Sequence, residues 1–139
     1  MIGIVLAAHG TLPQALVESV GMILGEPPQI ATVSLMPGDS LEGLVERLRA
    51  AVHEVSQGEG VLVFLDMFGG TPANAAALLT QQMDRVHAVT GVNLPMLLET
   101  FMLRDSVDQV EALTETAFSA GQSGIVNVVE AFKAFRSGQ

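Results

Sequence analysis

The sequence predicts an α/β protein built on a mainly parallel sheet. Three observations carry that expectation. Apolar-rich runs of strand length recur at residues 2–8, 30–35, 61–65 and 86–90. Stretches with helical spacing of apolar side chains lie between them, most opened by a cap-like residue and closed by glycine or a polar break. The first run, IGIVLAA, is apolar throughout, as in a parallel strand buried on both faces rather than one half exposed.

The elements follow in order. After the first strand comes His9-Gly10, and Thr11 and Gln14 then stand at capping-box spacing with Pro13 in the first turn. Leu12, Leu16, Met22 and Ile23 suit a helix that closes at Gly25. Pro27-Pro28 breaks the chain before the second strand, and Met36-Pro37-Gly38 ends that strand. Asp39 and Glu42 repeat the capping-box spacing, and Leu41, Leu44, Val45, Leu48, Val52 and Val55 make an amphipathic stripe ending near Gly58. The third strand, VLVFL, delivers Asp66 at its end. Gly69-Gly70 permits a tight turn, Thr71 offers a hydroxyl cap, and Pro72 suits the first turn of an alanine-rich helix reaching Gln82.

After the fourth strand, residues 91–96 (GVNLPM) form a second special loop and lead into a short helix with Leu97, Leu98, Phe101 and Met102. Asp105 or Ser106 restarts helix, whose buried face is marked by Val107, Val110, Leu113 and Ala117 up to Gly121. Residues 125–129 read as a last β-like segment, and the tail from Glu130 is too short to assign. Met22, Met96 and Met102 read as core fillers.

Composition bounds the function. A chain of 139 residues suits one domain, residues 1–139, with a real core. Mean hydropathy is +0.45, yet no apolar run approaches the roughly 18 residues that span a bilayer. The start has no basic head or small-residue cleavage site, and there is no cysteine, which fits a cytoplasmic location. Fifteen acids against six scattered bases give a net charge of −9, leaving no basic stripe for nucleic acid. Function is therefore left to His, Asp, Thr and backbone.

In parallel sheets, functional groups gather beyond the carboxyl ends of the strands, and His9 and Asp66 end the first and third. If the strand order is 2-1-3-4 those two strands are neighbours and the side chains can meet. Asp66 would then hold a proton on one imidazole nitrogen and stabilise the imidazolium formed when the other attacks an electrophile. His9 would itself be the nucleophile, since no Ser or Cys accompanies it in the motif. Gly69, Gly70 and Thr71 open one helix and Gly10 and Thr11 another, and helix N-termini attract anions. A phosphoryl group on His9, cradled by these five residues, is the inference.

Each signal has an ordinary competitor when taken singly: a histidine bonded for structure, an aspartate capping a turn, a glycine pair making one. Their coincidence at strand ends favours chemistry. His53 reads as a solvated surface residue and His87 as structural. No ligand pair has the spacing to make a metal site of His9, Asp66 and His87 specific. Ala8 stands where histidine phosphatases place Arg, and no Lys follows the glycines as a P-loop requires.

Together LAAHGTLPQAL, LDMFGGTPAN and TGVNLPMLLE resemble the enzyme IIA family of the mannose-type sugar phosphotransferase system, from residue 2 to about 129. The resemblance implies a phosphotransferase without metal or cofactor. His9 takes a phosphoryl group from the histidine phosphocarrier HPr and passes it to a IIB subunit, which phosphorylates sugar as the membrane permease (IIC and IID) imports it. Asp66 matches the aspartate that orients this histidine, and Thr71 a position where many members have serine. The resemblance also implies the 2-1-3-4 sheet of a three-layer α/β/α fold and a homodimer. In that dimer a C-terminal strand, here residues 125–129, crosses to the partner's sheet as an antiparallel edge. Asn93, Leu94 and Pro95 belong to the third motif, as a wall of the site or as dimer packing. No linker to a fused IIB domain precedes Gln139, so IIB is expected as a separate polypeptide. Two further readings stand beside transport: a regulatory module read through its phosphorylation state, and the phosphocarrier subunit of a dihydroxyacetone kinase. The NLPM loop argues against the latter. The sugar is not legible, because IIA need not touch it.

Overall fold

The structure, a computed structural model, describes residues 1–137. Four strands, β1 (Gly3–His9), β2 (Ile30–Leu35), β3 (Val61–Leu65) and β4 (Val86–Val89), form one sheet of order β2-β1-β3-β4. All pairings are parallel, with Ala7 opposite Leu65 and His9 opposite Leu35. The order implied by the family resemblance is the one observed.

Both faces of the sheet are covered, which is why the strands are apolar without alternation. Val5, Ala7, Val63 and Leu65 point to one side, where they pack with α2 (Leu41–Val55) and α3 (Thr71–Gln82). Ile4, Leu6, Leu62 and Phe64 point to the other, under α1 (Leu12–Leu24), α4 (Leu94–Leu103) and α5 (Val110–Ser123). A 3-10 turn, Arg104–Ser106, links the last two helices, and α6 (Val128–Ser137) closes the described chain. The predicted stripes are buried at Leu44, Val45, Leu48, Val52 and Val55 of α2 and at Val110, Leu113 and Ala117 of α5.

Several local expectations are corrected. The N-cap of α2 is Ser40, whose Oγ accepts the Gly43 N–H at 3.0 Å, while Asp39 accepts from the Met36 amide and Arg47. Thr11 makes no side-chain cap bond, and Gln14 instead reaches β2, its Nε2 donating to Ser34 Oγ at 2.9 Å. The α3 cap is Gly70 rather than Thr71, which is the first helical residue. Met22 and Met102 are 88% and 64% exposed, whereas Met96 is buried as expected.

The third motif builds structure. Asn93 caps α4 by accepting the Met96 N–H at 2.9 Å and donates to Gly121 O at 3.1 Å, fastening α4 to the end of α5. A Cβ on Gly124 would fall 2.6 Å from Pro95 Cβ in its rigid ring, so glycine there permits the close approach of the start of α4 and the end of α5.

The C-terminal strand is the main departure. Residues 125–129 form no strand in this chain: α5 ends at Ser123 and α6 begins at Val128. A strand needs a partner for its backbone groups; among the described residues none pairs with residues 125–129, and the backbone of α6 satisfies itself by helical turns.

Candidate functional site

The adjacency of β1 and β3 brings together the two side chains at their carboxyl ends. Nδ1 of His9 lies 2.8 Å from Oδ2 of Asp66, and that oxygen also accepts the His9 backbone N–H at 3.0 Å. Asp66 Oδ1 accepts the Met67 amide at 3.0 Å. The carboxylate is thus held on both oxygens, with its side chain 16% exposed against 48% for the imidazole. Burial alone would raise the Asp66 carboxyl. The His9 backbone N–H, the His9 ring and its charge outweigh that effect and hold the carboxyl below its ordinary value of 3.8.

An ionised carboxylate only accepts, so the ring proton sits on Nδ1 and Nε2 keeps its lone pair. The imidazole edge lies against the start of α3: a Cβ at Gly70 would be 3.4 Å from His9 Cε1. The first amides of α3 have no helical carbonyl to bond. Gly69 turns with φ +87°, a left-handed conformation that glycine adopts without cost. Of the predicted cradle, Gly70 lies beside the imidazole, with Gly69 before it in the turn and Thr71 opening α3.

The other half of the predicted cradle differs. Gly10 has φ +61° and its N–H donates to Leu35 O at 2.9 Å, so that donor is engaged in the sheet and closed to a ligand. Thr11 is exposed at the start of α1, where Pro13 contributes no N–H.

His53 is exposed on α2, and His87 Nε2 lies 3.5 Å from Glu111 Oε1, away from His9. Among the described residues no group of three or more His, Cys, Asp or Glu side chains gathers as a metal site requires.

Sequence reasoning missed the apolar rim. Met67 and Phe68, directly after Asp66, are 53% and 85% exposed, and Met36 and Leu12 face solvent at the neighbouring strand and helix ends. The signal was present: two large apolar residues in a turn, where polar ones are usual. A groove of about 770 Å³ follows the free edge of β4, with Phe68 at one end, and among the described residues no helix is long and apolar enough to cross a membrane.

The family described as "PTS system fructose IIA component" matches residues 3–118. The chain is 36% identical over 124 residues to the "PTS system fructose-specific EIIA component" of Bacillus subtilis, covering 85% of each. It is 33% identical over 124 residues to the "PTS system mannose-specific EIIAB component" of Escherichia coli, covering 89% of this chain. The chain spans only 38% of the length of that relative. Among solved structures, phosphotransferase system component EIIA from Streptococcus agalactiae superposes with a TM-score of 0.86 at 26% identity, over 94% of this chain and 99% of that one.

Proposed function

The chain belongs to the mannose-type enzyme IIA family of the sugar phosphotransferase system, and from that premise we propose that it is a phosphohistidine carrier acting through His9. The observation that carries the reading is the 2.8 Å bond from His9 Nδ1 to Asp66 on a half-exposed imidazole, which leaves Nε2 as the reactive nitrogen.

The transfer follows from that geometry. Nε2 attacks the phosphorus of phosphorylated HPr, a new N–P bond forms on His9, and the N–P bond to the donor histidine breaks. Positive charge accumulates on the His9 ring as this happens, and Asp66, already ionised and fixed by two amides, stabilises it without reorganising. The amides at Gly69, Gly70 and Thr71 face the phosphoryl oxygens at the start of α3. The same steps in reverse order pass the group to a IIB subunit, and from there to sugar entering through the membrane permease. Met67 and Phe68 supply apolar contact for the carriers that dock over His9.

The chain acts in this reading as one IIA domain in the cytoplasm. It pairs as a homodimer in which the apolar segment around residues 125–129 covers the β4 groove of the second copy.

The test is incubation with phosphoenolpyruvate, enzyme I and HPr, followed by intact mass. A single acid-labile phosphoryl adduct is expected, absent in His9→Ala. An adduct that persists in His9→Ala, or none on the parent chain, removes the proposal.

A further inference from the structure

Helices α1, α4 and α5 contain no Lys, Arg or His. Their charged side chains are Glu18, Glu99, Glu111 and Glu115, all exposed. The opposite layer differs, since α2 carries Arg47, Arg49 and His53. One face of the sheet is therefore covered by a layer that is acidic throughout.

On that layer the ends of α1 and α4 are fastened side by side. Arg104, the residue after α4, is 3% exposed, and its guanidinium donates to Pro28 O at 2.8 Å, in the connection that follows α1. It also reaches Ile2 O at 3.4 Å and lies 5.0 Å from the Phe101 ring centroid. Around this junction large apolar side chains face solvent: Met22 at 88%, Ile23 at 57%, Met102 at 64% and Leu103 at 38%. Neither helix has a basic residue in its last turn, and the cation at the junction, Arg104, is buried and bonded to carbonyls, so it presents no charge to a partner. From Leu103 the surface continues into an open groove of about 780 Å³ between α4 and α5, lined by Pro95, Glu99, Glu115 and Ser119.

The apolar junction of this surface lies away from the chemistry. Helix α1 starts three residues after His9 and runs 13 residues back along the sheet, which places Met22 and Ile23 roughly 15–20 Å from its first turn. A partner seated there leaves His9 open.

We propose that the α1–α4–α5 surface docks the Lys- and Arg-rich cytoplasmic face of a membrane-embedded sugar permease. Charge complementarity selects that occupant. Cytoplasmic loops of membrane proteins carry an excess of Lys and Arg beside apolar helix ends, which matches an apolar patch on helices whose charged side chains are all carboxylates. A bare lipid surface is anionic and is repelled by the same carboxylates. The inference rests on reading the chain as a transport phosphocarrier, and it gives the carrier an anchor distinct from its transfer site.

The experiment measures binding of the full chain to the cognate permease subunits in nanodiscs, against empty nanodiscs of the same anionic lipid. Parent, Met22→Ser/Met102→Ser and Glu99→Lys are compared, with phosphorylation by phospho-HPr followed on each. Binding that weakens with salt is expected for the parent, with affinity at least about tenfold lower in both variants and unchanged phosphorylation. Equal binding by parent and variants, equal binding to empty nanodiscs, or no binding overturns the docking surface while leaving the carrier reading intact. So does a loss of dimer in Met22→Ser/Met102→Ser by light scattering, which would assign the patch to a second copy. A parent chain that takes no phosphoryl group removes the functional reading, and this proposal with it.

Discussion

Oδ2 of Asp66 accepts two hydrogen bonds from His9, one from its backbone N–H at 3.0 Å and one from its ring Nδ1 at 2.8 Å. The backbone bond fixes the carboxylate relative to β1, and the ring bond fixes the imidazole relative to the carboxylate. One oxygen thereby sets both the position and the tautomer of the histidine.

Replacing Asp66 by Asn separates charge from shape. An amide keeps an oxygen for the ring N–H but offers no negative charge to the ring as it is phosphorylated. A hydrogen bond to a charged group contributes about 1.5–3 kcal/mol, so Asp66→Asn is expected to slow phosphoryl transfer by roughly 10- to 150-fold. Circular dichroism is expected to match the parent. Rapid-quench transfer from phospho-HPr measures the rate, and a rate equal to the parent's would reduce Asp66 to a turn residue.

The same carboxylate predicts a pH dependence of stability. Its folded value lies below the ordinary 3.8. A depressed carboxyl contributes stability that is fully present above the unfolded value and is lost as pH falls through the folded one. The parent is therefore expected to be more stable than Asp66→Asn at pH 6, with the difference shrinking as the pH is taken below 3.8. Urea unfolding of both proteins at pH 6 and at decreasing acid pH reads this, and a gap that widens in acid has the wrong sign for the assignment.

Much of this site was legible in the residues. The unbroken apolar runs marked β1 and β3 as strands, and His9 and Asp66 stood at their ends, so only the strand order was needed to join them. What escaped depended on competition between neighbours. Ser40 displaced Asp39 as the α2 cap because Asp39 was drawn to the Met36 amide and Arg47. Gly10 read as a phosphate donor, but its N–H belongs to the β2 ladder through Leu35. Asn93 read as a wall of the site or as dimer packing, and its bond to the end of α5 depends on a helix almost thirty residues away in the chain coming within reach of its side chain. Met22 and Met102 have core-like side chains, and their periodicity carried no sign that two helix ends would leave them uncovered.

Arg104 also gave no sequence signal, since a lone Arg after a helix usually faces water. In the fold it is buried and binds the carbonyls of Ile2, Gln29 and Pro28, with Nε left unpaired among the described residues. Arg104→Ala removes those donors and opens a space beside Phe101. The expected cost is about 2–4 kcal/mol, and thermal unfolding is expected roughly 10 °C lower. Phosphorylation of His9 well below the transition is expected to match the parent, because Arg104 lies at the other end of the strands. An unshifted midpoint would mean that its buried charge gives back what its hydrogen bonds contribute.

The proposed dimer makes the last prediction. Ile125, Val126, Val128 and Val129 are between 59% and 80% exposed, an apolar segment interrupted by Asn127 that one copy leaves in water. The free edge of β4 offers a groove of about 770 Å³ lined by Phe68, Ala77, His87, Thr114 and Phe118, apolar with few charges. Exposed sheet edges and exposed apolar segments are both liabilities, and one contact between copies removes both. The parent is expected to elute as a dimer by light scattering. Val126→Asp/Val128→Asp, which puts charge into the segment without touching the core, is expected to elute as a monomer and retain phosphorylation of His9. A doubly substituted chain that stays dimeric assigns the contact to another surface, and the β4 groove then loses its proposed occupant.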